Sequence, residues 1–167
     1  MENNPTPQPG SPRGTQGAKR RRVLEVLNGS YPNFSKLFLS IACCHCDKPA
    51  CADVCPAGAI TKRSSDGIVV VDSKKCIGCH YCFYACPYSI PQYGDDGTMQ
   101  KCNLCLERLE RGLDPACVNT CPAQALHYGT MEELSAFINM KNAEKLDGKT
   151  QPNLFWSYNK KDVFILG

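Results

Sequence analysis

Three groups of cysteines, each closed by Cys-Pro, limit what this 167-residue chain can become more tightly than any other feature. They are Cys43-x2-Cys46-x4-Cys51-x3-Cys55-Pro56, Cys76-x2-Cys79-x2-Cys82-x3-Cys86-Pro87 and Cys102-x2-Cys105-x11-Cys117-x3-Cys121-Pro122. One tryptophan and six phenylalanines make a thin core inventory, so the sulfurs must help hold the polypeptide together. A disulfide framework is the poorer account. The cysteine count of 13 is odd, no apolar run precedes a cleavage site near Met1, and neighbours within a group would have to close impossibly short loops.

Metal is the better account, and spacing narrows it. The run from Cys76 to Pro87 has the C-x2-C-x2-C-x3-C-P pattern of bacterial cluster-binding ferredoxins. Two-residue gaps let one loop place three thiolates on three corners of a cubane, with backbone N–H groups turned inward toward sulfide. The fourth cysteine, Cys86, is expected to begin a helical or turn segment directed away and to reach a second cluster, with Pro87 keeping that segment from rejoining the loop. The group from Cys43 supplies the partner. Centre A is therefore expected to use Cys43, Cys46, Cys51 and Cys86, and centre B to use Cys76, Cys79, Cys82 and Cys55, each holding a 4Fe-4S cluster. Ile77, Tyr81, Phe83 and Ala85 are expected to keep the surroundings dry. The structural rival is zinc, with Cys43, Cys46, Cys76 and Cys79 as one tetrahedral site and Cys51, Cys55, Cys82 and Cys86 as another; it gives no reason for the Cys-Pro units. Cys44 is left as a spare buried thiol. His45 and His80 are expected to lie behind the ligands or in solvent, and His127 has no assigned role.

The rest of the chain sets boundaries. A net charge of +3 is too small to argue for nucleic acid, and Lys19–Arg22 reads as a solvated linker. No stretch approaches the uninterrupted apolar length of a membrane-spanning helix. "DGKT" at Asp147–Thr150 resembles the end of a phosphate loop, but Ala143 stands where the first glycine is required. Asp66-Gly67 predicts a hairpin, Asp96-Gly97 a turn before Met99, and Thr130 with Glu133 a capping box opening a helix through Leu134, Phe137 and Ile138. These signals divide the chain into a disordered or irregular leader (1–34), a two-cluster ferredoxin domain (35–98), a third cysteine segment packed on it (99–129), and a short helix with a C-terminal arm (130–167). The fold class expected is α+β: a bacterial-type double-cluster ferredoxin fold with short hairpins and helices, an additional cysteine-ligated segment and irregular termini.

From about Leu39 to Tyr128 the motifs "CCHCDKPACADVCPAGAI", "DGIVVVD", "CIGCHYCFYACPYSIPQY", "KCNLC" and "ACVNTCPAQAL" together resemble the iron-sulfur electron-transfer subunit of the dimethyl sulfoxide reductase family. That resemblance implies four cysteine groups and four clusters in two exchanging pairs, yet residues 1–42 contain no cysteine. Cys102, Cys105 and Cys117 would then lack a fourth ligand. Three outcomes stand open: Cys121 closes a local third cluster, the site holds a three-iron cluster or nothing, or the chain is a fragment or rearranged product whose start lies upstream. The resemblance also implies a non-catalytic role. The subunit would relay single electrons between a molybdopterin catalytic subunit and a membrane quinone- or quinol-linked anchor subunit, peripherally on the cytoplasmic or periplasmic face of a bacterial inner membrane. A zinc-binding assembly scaffold and a free polyferredoxin are the alternatives. The apolar segment from Phe155 to Leu166 points to docking over free diffusion.

Overall fold

The computed structural model describes residues 18–157 and the backbone of 162–166, and it opens on a long antiparallel hairpin, β1 (Arg21–Ser30) with β2 (Asn33–Ala42), in register from Arg21↔Ala42 to Ser30↔Asn33. The leader expected over 1–34 is corrected here: residues 21–34 are ordered by ladder bonds that a search for amphipathic period does not register, and residues 1–17 lie outside the described residues. The hairpin leaves apolar side chains in solvent on both faces, Val23, Leu27, Phe34 and Phe38 on one and Leu24 and Val26 on the other, so its strands carry no legible alternation. Its base is fixed by Arg22, which donates to the Tyr88 carbonyl at 2.7 Å, and by burial of Ile41 and Ala42.

Beyond the hairpin one pattern recurs, a single helical turn, a Cys-Pro pair and then a strand. Helix α1 (Ala50–Asp53) leads through Cys55-Pro56 to β3 (Ile60–Lys62), which pairs with β4 (Val69–Val71). Helix α2 (Tyr81–Ala85) leads through Cys86-Pro87 to β5 (Gln92–Tyr93), which pairs with β6 (Met99–Gln100). After α3 (Leu106–Leu109), helix α4 (Ala116–Asn119) leads through Cys121-Pro122 to β7 (Leu126–Gly129). Proline cannot extend the turn it follows, so each helix stops after about one turn. The freed sulfur then caps the bend: Cys55 Sγ accepts the Ala59 N–H at 3.3 Å and Cys121 Sγ the Ala125 N–H at 3.4 Å. Both expected turns form. Asp66 Oδ1 accepts the Ile68 N–H beside Gly67 (φ +70°), and Asp96 Oδ1 accepts the Thr98 N–H beside Gly97.

The C-terminal quarter differs from expectation. Helix α5 (Met131–Met140) carries the capping box, with the Glu133 N–H donating to Thr130 Oγ1 and the Thr130 N–H to Glu133 Oε2; Leu134 and Ile138 face inward while Phe137 is exposed. Strands β8 (Glu144–Lys145), β9 (Leu154–Ser157) and β10 (Asp162–Leu166) then join β7 in a four-stranded sheet of order β7-β10-β9-β8, with β10 parallel to β7 and antiparallel to β9. The expected arm is thus a sheet, because its partner strand β7 lies in a segment remote in sequence.

The divisions at 98 and 129 do not separate cores. One apolar cluster gathers Cys44, Ile68, Leu104 and Leu154, which come from three of the expected segments, and the β5–β6 hairpin crosses residue 98. A second cluster around Ile60, Val69, Cys82 and Met99, and a third around Ile41, Cys43 and Ile90, form the walls of the cysteine sites.

Candidate metal centres

Helices α1 and α2 pack against each other, each carrying the third cysteine of its group and followed by the fourth. Because each helix ends between those two cysteines, their sulfurs do not share a helix face. Cys86 caps the end of α2 in an extended conformation (φ −83°, ψ 112°) that the Pro87 ring favours in the residue before it, and it begins the expected turn, its carbonyl accepting the Ser89 N–H at 3.0 Å. The sulfur is thereby turned away from its own group.

One pocket is lined by Cys55, Cys76, Cys79 and Cys82 together with Ile60, Ile77 and Met99. Three of these thiols come from one group and the fourth, Cys55, from the other. The loop that carries Cys76 and Cys79 turns at Gly78 (φ +66°), where a Cβ would stand 2.7 Å from the Gly97 carbonyl oxygen, so only glycine allows the approach. Polar hydrogens point at the sulfurs: the Met99 N–H donates to Cys76 Sγ at 3.3 Å, and the Tyr93 hydroxyl lies 3.2 Å from Cys82 Sγ. Burial raises the Cys82 thiol, partly offset by that Tyr93 contact, and burial together with Cys82 pushes the Tyr93 phenol up in turn. Tyr93 also stacks on His80 at 3.6 Å. The sequence assigns Tyr93 no role, although it stands in the same cysteine-rich stretch, shortly after Cys86-Pro87.

Cys43, Cys46, Cys51 and Cys86 are the residues expected to hold centre A. Burial pushes the Cys51 thiol up to about 12, with Cys43, Cys86 and Cys46 adding to it. Cys46 is raised by burial, opposed by its hydrogen bond with Thr150, and again lifted by Cys43 and Cys86. Mutual influence of this kind requires short separations in a poorly screened interior. Ile41 and Ile90 pack beside Cys43 and Cys86. Cys44, 1% exposed, packs in the central core with Cys46 against it and donates to the Ala42 carbonyl; burial, then Cys43, Cys46 and Cys86, push its thiol up.

The third group is carried by several elements. Burial, then Cys43, raises Cys102 to about 11, and Cys102 packs in the same apolar cluster as Cys43 and Cys86. Cys105 precedes α3, Cys117 stands on α4 and Cys121 follows it. His45 is buried, its Nδ1 accepting the Val69 N–H at 3.0 Å, and burial with the nearby Lys101 and Lys62 ammonium groups holds it well below its ordinary pKa, so it is neutral. Of the residues expected to keep the surroundings dry, Ile77 lines the pocket, Ala85 is half-buried, and Tyr81 and Phe83 are exposed; Ile60, Val69 and Met99 supply the buried walls.

Four thiols standing round a cavity, rather than converging on a point, fit a polynuclear group with thiolate on each corner. Among the described residues no three His, Cys, Asp or Glu side chains are gathered to hold a single ion. The donor set is all sulfur, the walls are apolar, and N–H and O–H groups are aimed at sulfur, which are the features an iron-sulfur cluster requires.

A family model described as the 4Fe-4S dicluster domain matches residues 34–131. One component of the anaerobic dimethyl sulfoxide reductase of Escherichia coli K12 is 46% identical over 123 residues, covering 68% of this chain and 60% of that protein. The component of the same name in Haemophilus influenzae is 39% identical over 153 residues, covering 84% and 74%. The formate dehydrogenase-O iron-sulfur subunit of E. coli K12 is 42% identical over 103 residues, covering 61% and 34%. The alignment thus spans 60% of the length of the first of these relatives.

Proposed function

The protein belongs to the 4Fe-4S dicluster family, and we propose that it is the electron-relay subunit of an oxidoreductase complex, passing single electrons through centres A and B. The observation that carries this reading is the pocket lined by Cys55 with Cys76, Cys79 and Cys82, in which the two sequence groups exchange a ligand. Centre A would be held by Cys43, Cys46, Cys51 and Cys86, whose thiols influence one another across the same pair of helices.

A 4Fe-4S cluster, when bound, supplies a one-electron couple with all its iron sites ligated by protein, so the subunit transfers electrons and makes no bonds. The protein's own residues do the rest. Ile60, Val69 and Met99 exclude water from centre B, the Tyr93 hydroxyl and the Met99 N–H favour added negative charge on its sulfurs, and the packed α1–α2 pair holds the two centres close. The relatives' names describe one component of a reductase and an iron-sulfur subunit of a formate dehydrogenase, which supports a separate catalytic subunit as one partner. We extend this to a molybdopterin-containing catalytic partner and a membrane quinone- or quinol-linked anchor at a bacterial inner membrane. No helix among the described residues is long and apolar enough to cross a membrane. Of the three outcomes for the third group we favour two clusters, because Cys102 packs in the apolar cluster of Cys43 and Cys86.

Purified without oxygen, the protein is expected to be brown and to carry about eight irons and about eight sulfides. About twelve irons would mean that the third group also closes a cluster. Cys86→Ala should abolish the same electron paramagnetic resonance signal as Cys43→Ala, and Cys55→Ala the same one as Cys79→Ala. Pairing of Cys86 with Cys79 in that experiment would overturn the exchange, and a colourless protein with stoichiometric zinc would overturn the function.

A further inference from the structure

A buried lysine has no use in a cysteine scaffold unless its charge is wanted. Lys101 is 5% exposed, on the segment joining β6 to Cys102, and its ammonium donates to two backbone carbonyls, those of Val69 and of Cys102, the latter at 3.1 Å. Val69 belongs to the wall of centre B, with Cys82 in the same cluster and Cys51, Cys55 and Cys76 packed against it. Cys102 belongs to the wall of centre A, beside Cys43 and Cys86. The ammonium therefore sits between the two sulfur sites. Other lysines pair with carboxylates, Lys62 with Asp47 and Lys75 with Asp72, but among the described residues no ion pair involves Lys101.

Carbonyl dipoles offset only part of the cost of burying an unpaired ammonium, so a negative charge close by is required. Four thiolates on an iron-sulfide core leave a net negative charge, which deepens by one when the electron arrives from the donor. A fixed cation in a medium of low dielectric favours the reduced state, and water screens it little. Both carbonyls that hold the ammonium adjoin ligands expected for centre A, Cys51 packing against the cluster of Val69 and Cys102 lying with Cys43 and Cys86, which places its field at centre A.

We propose that Lys101 is the fixed charge that raises the reduction potential of the centre held by Cys43, Cys46, Cys51 and Cys86, and so directs the electron to that centre. The inference rests on the cluster reading above. Lys101 touches no reacting atom; it is a positioning residue that acts through the field it imposes on the sulfurs.

The test is a redox titration followed by electron paramagnetic resonance on the anaerobically purified protein. Lys101→Gln keeps a donor for the two carbonyls and removes the charge; Lys101→Arg keeps the charge. Lys75→Gln, which removes an equal charge at an exposed site beside Asp72, serves as the control. The expected result is full iron content in all four proteins, a downward shift of the midpoint of the signal lost in Cys43→Ala for Lys101→Gln, and little shift for Lys101→Arg or Lys75→Gln. An unchanged midpoint in Lys101→Gln, or an equal shift in Lys101→Arg, overturns the proposal. If Lys101→Gln assembles no iron while Lys101→Arg assembles it fully, the charge is needed even to hold the thiolates, which supports it; loss of iron in both makes Lys101 a packing residue and overturns it. Failure of the cluster reading itself is distinguishable, since the parent protein would then carry no iron.

Discussion

Tyr93 shows how a residue with no signature in the sequence acquires a task from its neighbours. Its hydroxyl reaches Cys82 Sγ because the β5–β6 hairpin folds back over the pocket, and its ring is held flat against His80. A hydrogen bond to a sulfur ligand strengthens as negative charge accumulates there, so it favours the reduced form. Tyr93→Phe keeps the ring and loses the hydrogen. It is expected to retain full iron and to lower the midpoint of centre B, by an amount corresponding to about 1 kcal/mol, the net worth of one hydrogen bond, in a redox titration. The candidate ligand cysteines are read from spacing alone, because covalent demand on sulfur is local. Tyr93 and Lys101 are not, because what each side chain does depends on strands contributed by other parts of the sequence.

Among the elements, those set by local chemistry match their signals. The turn at Asp66-Gly67 needs a left-handed glycine and a carboxylate to accept the Ile68 N–H, and the α5 capping box needs only Thr130 and Glu133; both are confined to a few residues. Thr130→Ala removes the acceptor of the Glu133 N–H and is expected to reduce stability by about 1 kcal/mol in denaturant unfolding. Iron content should not change, because α5 packs on β7 and its own core of Leu134 and Ile138, away from the sulfur walls. The β1–β2 hairpin is illegible for a related reason. With both faces of its outer half exposed, no alternation is written into residues 21–34, and ladder bonds to the partner strand order them instead.

For the whole molecule the decisive feature is that one core serves segments that look separable in sequence. Leu154, 3% exposed, packs with Cys44, Ile68 and Leu104, and the final strand lies between β7 and β9. Ending the polypeptide after Ser157 would remove β10 and leave β7 and β9 each with an unpaired edge, so the truncated protein is expected to melt at lower temperature and to aggregate. Unaltered melting would show that β10 is dispensable to the sheet. An arm that served docking alone, the role its apolar residues suggest, could be removed without that loss. By itself the sequence determined the ligand inventory, the exchange expected between the first two groups and the chemistry of one-electron transfer, because sulfur spacing and proline stops act over a few residues. Only the tertiary structure decided which side chains wall and tune the centres, that Cys102 turns toward Cys43, and that the C-terminal strands complete a sheet. Those outcomes rest on contacts between residues far apart in the polypeptide, and local patterns carry no record of such distances.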